Sequence, residues 1–208
     1  MSIRVERSEV HPSVPAAGHG PSRAHAVAAG ILLVGGPLLW ASSFLAMPDL
    51  GDDEVYAYDM VTSVFFLLAL AALASVARAA RATGSGKGRW LPIVPIALAP
   101  FGIASSLGTL PYETYDAAPT WVAVTDPAWP LTQLAMLVCA VAIVRVGRWR
   151  GPLRWLPLAG ALWLPVVGAA QAALGEDGMA VVFTIWMAGT YAAIGALLCV
   201  RPDAARAR

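Results

Sequence analysis

Residues 59–78 read DMVTSVFFLLALAALASVAR, which places 18 uncharged residues between Asp59 and Arg78. An α-helix needs about 20 apolar residues to cross the hydrocarbon core of a bilayer, and lengths of about 17–25 are observed. Five other uncharged runs also lie between an acidic and a basic residue: 24–48, 90–112, 127–144, 155–175 and 178–200. Because the order of acidic and basic ends alternates along the chain, the sequence predicts an all-α integral membrane protein with six transmembrane helices.

The composition supports this class. The chain has 208 residues, of which 58% are hydrophobic and 13% are charged, whereas a soluble domain usually carries about 25% charged residues. The formal net charge is only +1, so we expect no nucleic-acid partner. Thirteen of the 14 basic residues are arginines, a bias that is typical of GC-rich genomes and favours a bacterial origin.

The basic residues also predict the orientation. All 14 lie before the first run, between the second and third, between the fourth and fifth, or after the sixth, and the other three connections have none. Cytoplasmic loops of membrane proteins are enriched in Lys and Arg. An arginine at the bilayer centre costs about 2.5–3.5 kcal/mol on insertion scales, so an error of one helix would be costly. We therefore predict a multi-pass protein of the plasma membrane with both termini in the cytoplasm.

Three regions follow from this assignment. Residues 1–24, which are rich in Pro, Ser, Gly and Arg, are predicted to be a disordered cytoplasmic tail. Residues 25–201 are the transmembrane domain, and residues 202–208 are a second cytoplasmic tail. The six spans are predicted at about 25–47, 60–78, 91–111, 127–145, 155–175 and 179–200.

A short repeat suggests how the spans are grouped. The sequence RWLP occurs at residues 89–92 and again at 154–157, and at the same offset Pro100 matches Pro165. The first span also has a proline near its middle, Pro37. We predict three helical hairpins, each beginning with a proline-interrupted helix. Arg and Trp are also good interfacial anchors in their own right, so the repeat leaves open whether the chain contains a true duplication.

These prolines are the first candidate site. Each one leaves the carbonyl four residues earlier without its helical donor, and such groups need a partner or a water-filled cavity inside a membrane. The functional hypothesis is that kinks at Pro37, Pro100 and Pro165 line a cavity. The alternative, which we favour, is that small neighbouring residues let the helices pack closely and satisfy these carbonyls.

The connections without basic residues are the second candidate site, because they combine carboxylates with aromatic rings. The candidate ligand-binding residues are Asp59, Glu113, Asp116, Asp126 and Trp129. Such a group binds a cation by charge and by contact with ring faces, and paired carboxylates also perform acid–base chemistry when one is desolvated. The alternative is an aromatic belt with solvated acidic loops, in which Asp59 and Asp126 simply stabilise helix N-termini.

No nucleotide-binding, zinc-protease, serine-hydrolase or paired-cysteine motif is present, so we predict no catalytic residue, no cofactor and no metal site. The leading functional prediction is passive binding or transport of a small solute or lipid through a cavity lined by the proline-kinked helices. Two alternatives stay open. One is a structural or regulatory partner of another membrane protein, or a homo-oligomer. The other is a membrane-embedded enzyme that acts on an isoprenoid or lipid with its outer-face carboxylates; we favour a non-enzymatic role.

Overall fold

The computed structural model describes residues 20–46 and 54–206. Within these residues the protein is all-helical, with one isolated bridge between Glu54 and Thr114 instead of a sheet. The helices are α1 (Arg23–Leu45), α2 (Ala57–Ala79), α3 (Ile93–Thr109), α4 (Thr120–Thr125), α5 (Ala128–Val146), α6 (Pro152–Ala161), α7 (Trp163–Met187) and α8 (Ala193–Val200). A π-helical turn, Ala188–Ala192, joins α7 to α8. Most of the predicted N-terminal tail, residues 1–19, and the last two residues of the C-terminal tail lie outside the described residues.

The long helices have the dimensions of membrane spans. Five helical stretches of the described chain are long and apolar enough to cross a bilayer, with mean hydropathies from 1.7 to 2.3. The last of them, Trp163–Val200, has 38 residues and would be about 57 Å long if it were straight, nearly twice the hydrocarbon thickness of about 30 Å. Length and composition therefore indicate a multi-pass membrane protein with five or six spanning helices.

The long stretch is broken at Gly175, whose backbone angles are φ 73° and ψ −171°. Residues on the two sides of this break lie against each other. The Trp186 indole N–H donates to the Ala159 carbonyl over 3.0 Å, and the ring centroids of Trp163 and Phe183 are 5.4 Å apart. The segments before and after Gly175 are therefore neighbours in the bundle.

The three mid-span prolines do not have equal effects on the helices. Helices α1 and α3 continue through Pro37 and Pro100. Before Pro165 the helix is interrupted at Leu162, which has φ −89° and ψ 13° and separates α6 from α7. Since proline has no N–H to donate to the preceding turn, this interruption at the end of α6 is the expected response to Pro165.

Helix α1 lies at the centre of the packing and contacts α2, α7 and α8. It approaches α8 closely, since a Cβ atom added to Gly195 would come within 2.5 Å of the Gly30 carbonyl oxygen. One added to Gly30 would come within 2.7 Å of the Gly195 carbonyl oxygen. Glycine at both positions lets the two backbones touch, as is common where helices pack in membranes.

Candidate functional site

A cluster of aromatic rings fills the bundle near the ends of α1 and α7. Trp40 is 3% exposed. Its ring is stacked on Phe66 with a centroid distance of 4.5 Å and makes edge contacts with four other rings at 5.0–5.5 Å. We call this set the Trp40 cluster; it comprises Trp40, Phe44, Phe66, Trp129, Trp163 and Phe183. Because five rings surround Trp40, the centre of the bundle is packed solid at this level.

Asp59 lies at the edge of the Trp40 cluster. Its Oδ1 atom accepts a hydrogen bond of 3.0 Å from the Trp40 indole N–H and one of 2.7 Å from the Ser43 hydroxyl. Both donors belong to α1 and are buried, whereas Asp59 is in the first turn of α2 and is half-buried. The two hydrogen bonds join α1 to α2 and fix the position of the carboxyl group.

Asp126 approaches the same cluster from another part of the chain. It follows α4 directly, and its Oδ1 atom accepts a hydrogen bond of 3.1 Å from the buried Ser105 hydroxyl of α3. Its backbone carbonyl accepts from the Trp129 N–H over 2.9 Å, so Asp126 and the Trp129 ring are held on one helical turn. The Asp126 residue itself is exposed.

Tyr115 lies in the connection between α3 and α4, near the two carboxylates. Burial raises the pKa of its hydroxyl above the usual value, and the negative charges of Asp59 and Asp126 raise this pKa further. A tyrosine is harder to ionise near like charges, which agrees with a position of Tyr115 near both carboxylates. Asp59 is hydrogen-bonded to Trp40, whose ring centroid lies 5.2 Å from that of Trp129, and the Trp129 N–H is hydrogen-bonded to Asp126. These contacts bring Asp59 and Asp126 to the same cluster; we call the two carboxylates and Tyr115 the acidic site.

Glu113 and Asp116 lie on the same face, but their side chains are exposed and make no hydrogen bond in the described structure. The Glu113 backbone carbonyl accepts from the Val55 N–H over 2.8 Å. This contact holds the α3–α4 connection against the segment that leads into α2. Of the five candidate ligand-binding residues, Asp59, Asp126 and Trp129 therefore converge, and the other two stand at the rim.

No basic residue neutralises this face in the described part of the chain. In the described residues, the ion pair that forms joins Arg206 to Asp203, which lie after α8 and away from this face in the sequence. The Lys and Arg residues that the structure describes lie at positions 23, 78–89, 145–154, 201 and 206, none of which is within the segments that carry the acidic site. Within residues 20–46 and 54–206, the negative charge of these carboxylates is therefore not offset by a neighbouring basic residue in the same segments.

Neither of the two cavities found in the described residues is lined by a candidate proline. Pro37 is buried within the bundle, whereas Pro100 and Pro165 are exposed on its surface. Two cavities, of about 390 and 490 Å³, are both lined by other residues. The larger one is apolar and lies between α5 and the start of α3, with Leu91, Val138 and Arg145 in its wall.

The smaller cavity is a feature that the sequence reasoning missed. It is lined by His25, Ser75, Arg78, Arg81, Arg89 and Trp90, among others. The sequence indicates this cavity only through the arginines at residues 78–89, which lie beside a tryptophan. The same pattern is equally typical of residues that anchor a helix at the membrane interface. That His25 belongs with them follows only from the packing of α1 against α2.

Comparison of the chain with protein-family models, with curated proteins and with solved structures gives no match.

Proposed function

We propose that the protein crosses the bacterial plasma membrane six times, as three helical hairpins, with both termini in the cytoplasm. The distribution of Lys and Arg in the sequence supports this orientation. The break at Gly175 supports the sixth crossing, because the chain on its two sides packs together and neither side alone exceeds the length of one span.

Site-directed labelling tests the orientation. Ser85, in the arginine-rich connection, and Asp177, two residues after Gly175, are both exposed. We expect a membrane-impermeant maleimide to label Asp177→Cys on intact cells and Ser85→Cys only after permeabilisation. The unaltered chain is the control, since Cys139 and Cys199 lie within helices. Labelling of Ser85→Cys on intact cells would refute the orientation.

We further propose that the acidic site binds a small organic cation, either a solute or the ammonium group of a lipid. The observation that carries this proposal is the convergence of Asp59, Asp126 and Tyr115 beside the Trp40 cluster. Carboxylates attract a cation by charge, and aromatic faces add about 0.5–2 kcal/mol each. We propose passive binding in preference to transport, because the rings of the Trp40 cluster fill the centre of the bundle, where a transported molecule would have to pass.

The hydrogen bonds at the acidic site leave capacity for a ligand. All three side-chain bonds to its carboxylates end on Oδ1 atoms, two on Asp59 and one on Asp126. A carboxylate has about four acceptor positions over its two oxygens. The Oδ2 atoms of both residues are therefore available to a cationic group, while the Oδ1 atoms hold the carboxylates in place.

Calorimetric titration of the detergent-solubilised full chain with tetraethylammonium tests this function. We expect binding that weakens about fivefold in Asp59→Asn or Asp126→Asn, since one partly exposed charge contributes about 1 kcal/mol. Asparagine keeps the Oδ1 acceptor for Trp40 and Ser43, so the fold is retained. The matched control is Glu176→Gln with Asp177→Asn, which removes two exposed carboxylates elsewhere. Equal weakening in this control, or no binding at millimolar tetraethylammonium, would contradict the proposal.

A further inference from the structure

The 390 Å³ cavity lies at the arginine-bearing end of the bundle, between the start of α1, the end of α2 and the start of α3. Its volume falls within the range of about 300–1,000 Å³ that is usual for small-molecule sites. Arg78 lies in the last turn of α2, Arg89 belongs to the 3₁₀ turn Lys87–Trp90, and Ile96 belongs to α3. The cavity therefore has a cationic part beside the connection and an apolar part beside α3.

The connection that carries Arg81 and Arg89 is held by several hydrogen bonds. The buried Thr83 hydroxyl donates to the Gly88 carbonyl over 2.8 Å. The Arg148 guanidinium, from the α5–α6 connection, donates to the Arg81 carbonyl over 3.0 Å. Arg81 itself has φ 50°, a left-handed conformation that is uncommon for a residue with a side chain. These contacts define the path of the connection and hence the positions of the two arginines.

The lining of the cavity has the chemistry of an anion site. Arg78, Arg81 and Arg89 form no ion pair with any carboxylate in the part of the chain that the structure describes. The three arginines are exposed around an open pocket, where their charges give a positive potential that attracts an anion. Guanidinium groups also match the geometry of phosphate oxygens, which they bind through two parallel hydrogen bonds.

Two further contacts shape the wall of the cavity. The Arg89 guanidinium lies 4.6 Å from the centre of the Trp90 ring, a cation–π contact that leaves its edge free to donate. The Ser75 hydroxyl donates to the Ala72 carbonyl over 2.7 Å. The same hydroxyl lies 2.7 Å from the His25 Nε2 atom, a hydrogen bond that joins α1 to α2. This contact holds His25 in the wall of the cavity.

We propose that this cavity binds a phosphate group, and that the phosphate is that of an anionic phospholipid from the adjoining leaflet. The apolar wall at Ile96 and the exposed Trp90, together with the location at the end of three membrane-length helices, favour a ligand that has an acyl tail. In polybasic segments at such positions, each arginine raises the affinity for anionic lipids about fivefold. The inference does not depend on the acidic site, which involves other residues at the other ends of α1 and α2.

Native mass spectrometry of the full chain, purified in detergent and mixed with defined lipids, tests the proposal. We expect retention of phosphatidylglycerol in preference to phosphatidylcholine. In Arg78→Gln with Arg89→Gln, retention of phosphatidylglycerol should fall about 25-fold, from about fivefold for each arginine. The matched control is Arg150→Gln with Arg201→Gln, which removes two exposed arginines that do not line the cavity and should retain the lipid.

Inorganic phosphate provides the second arm of the experiment. Displacement of phosphatidylglycerol by excess phosphate, with no tight binding of phosphate alone, would support a lipid ligand. Tight binding of phosphate alone that is lost in the same double variant would assign the cavity to a soluble phosphate compound and overturn the lipid assignment. Equal loss of lipid in the cavity variant and in the control variant, or no preference for phosphatidylglycerol, would overturn the phosphate site itself. A circular dichroism spectrum of each variant shows whether the fold is intact.

Discussion

Gly195→Leu is expected to remove most of the folded protein. At this position α1 and α8 touch through their backbones, and an added Cβ atom would lie within 2.5 Å of the Gly30 carbonyl oxygen and 2.8 Å of the Val34 nitrogen. Neither atom can turn aside as a flexible side chain would, so the helices must separate. Overpacking usually costs about 1–3 kcal/mol. Because the obstruction here is backbone, we expect about 3 kcal/mol or more, a large part of a total stability of about 5–15 kcal/mol.

The measurement is the yield of monodisperse protein in mild detergent, followed by unfolding with sodium dodecyl sulfate monitored by circular dichroism. Gly189→Leu is the matched control, because Gly189 lies six residues earlier and an added Cβ atom would meet nothing within 4 Å. We expect this control to retain nearly the stability of the parent chain. If Gly195→Leu unfolds at the same detergent fraction as Gly189→Leu, the close approach of α1 and α8 is wrong.

Trp40→Ala should produce the second large effect, a loss of about 3–5 kcal/mol in the free energy of unfolding. The substitution deletes the ring around which the Trp40 cluster is built and leaves a void between α1, α2, α5 and α7. It also removes a donor to Asp59, and a hydrogen bond to a charged group contributes about 1.5–3 kcal/mol. The two losses act at one place and are not additive.

Two further variants separate these contributions. Trp155→Ala deletes the same ring from a position that is 55% exposed and contacts Arg154, so it should cost less than about 1 kcal/mol. Trp40→Phe keeps an aromatic ring in the cluster but has no N–H, and its cost should fall between the other two. Unfolding curves recorded in one detergent suffice for the comparison. Equal stability of Trp40→Ala and Trp155→Ala would show that Trp40 is not central to the fold.

The membrane-length helices were accessible from the sequence because their signal is local. A run of apolar residues between charges needs no partner to be recognised, and the predicted second span, residues 60–78, differs from α2 by three residues at its start and one at its end. The details that depend on neighbours were not predicted. The short helix α4 and the π-helical turn after α7 have no comparable signal in the sequence, whereas Pro165 indicated the interruption at Leu162.

The candidate sites show the same division. Asp59 and Asp126 were predicted because each stands where a helix begins. Their positions beside the Trp40 cluster depend on hydrogen bonds between residues that are 16 to 21 positions apart. The arginine-lined cavity was missed because His25 and Ser75 are 50 residues apart in the sequence. The shared cavity at the three prolines stays a prediction. Pro37 is buried whereas Pro100 and Pro165 are exposed, a difference that the spacing of prolines in the sequence does not show.

The chain reversal at Gly175 is a position where the chain can accept inserted residues. Residues 171–177 are all exposed, and an added Cβ atom at Gly175 would meet nothing within 4 Å. The entropic cost of a longer surface loop grows only with the logarithm of its length. Extra segments, even whole folded modules, can therefore be accommodated here while the neighbouring helices keep their register, whereas the touching backbones of α1 and α8 tolerate no such variation.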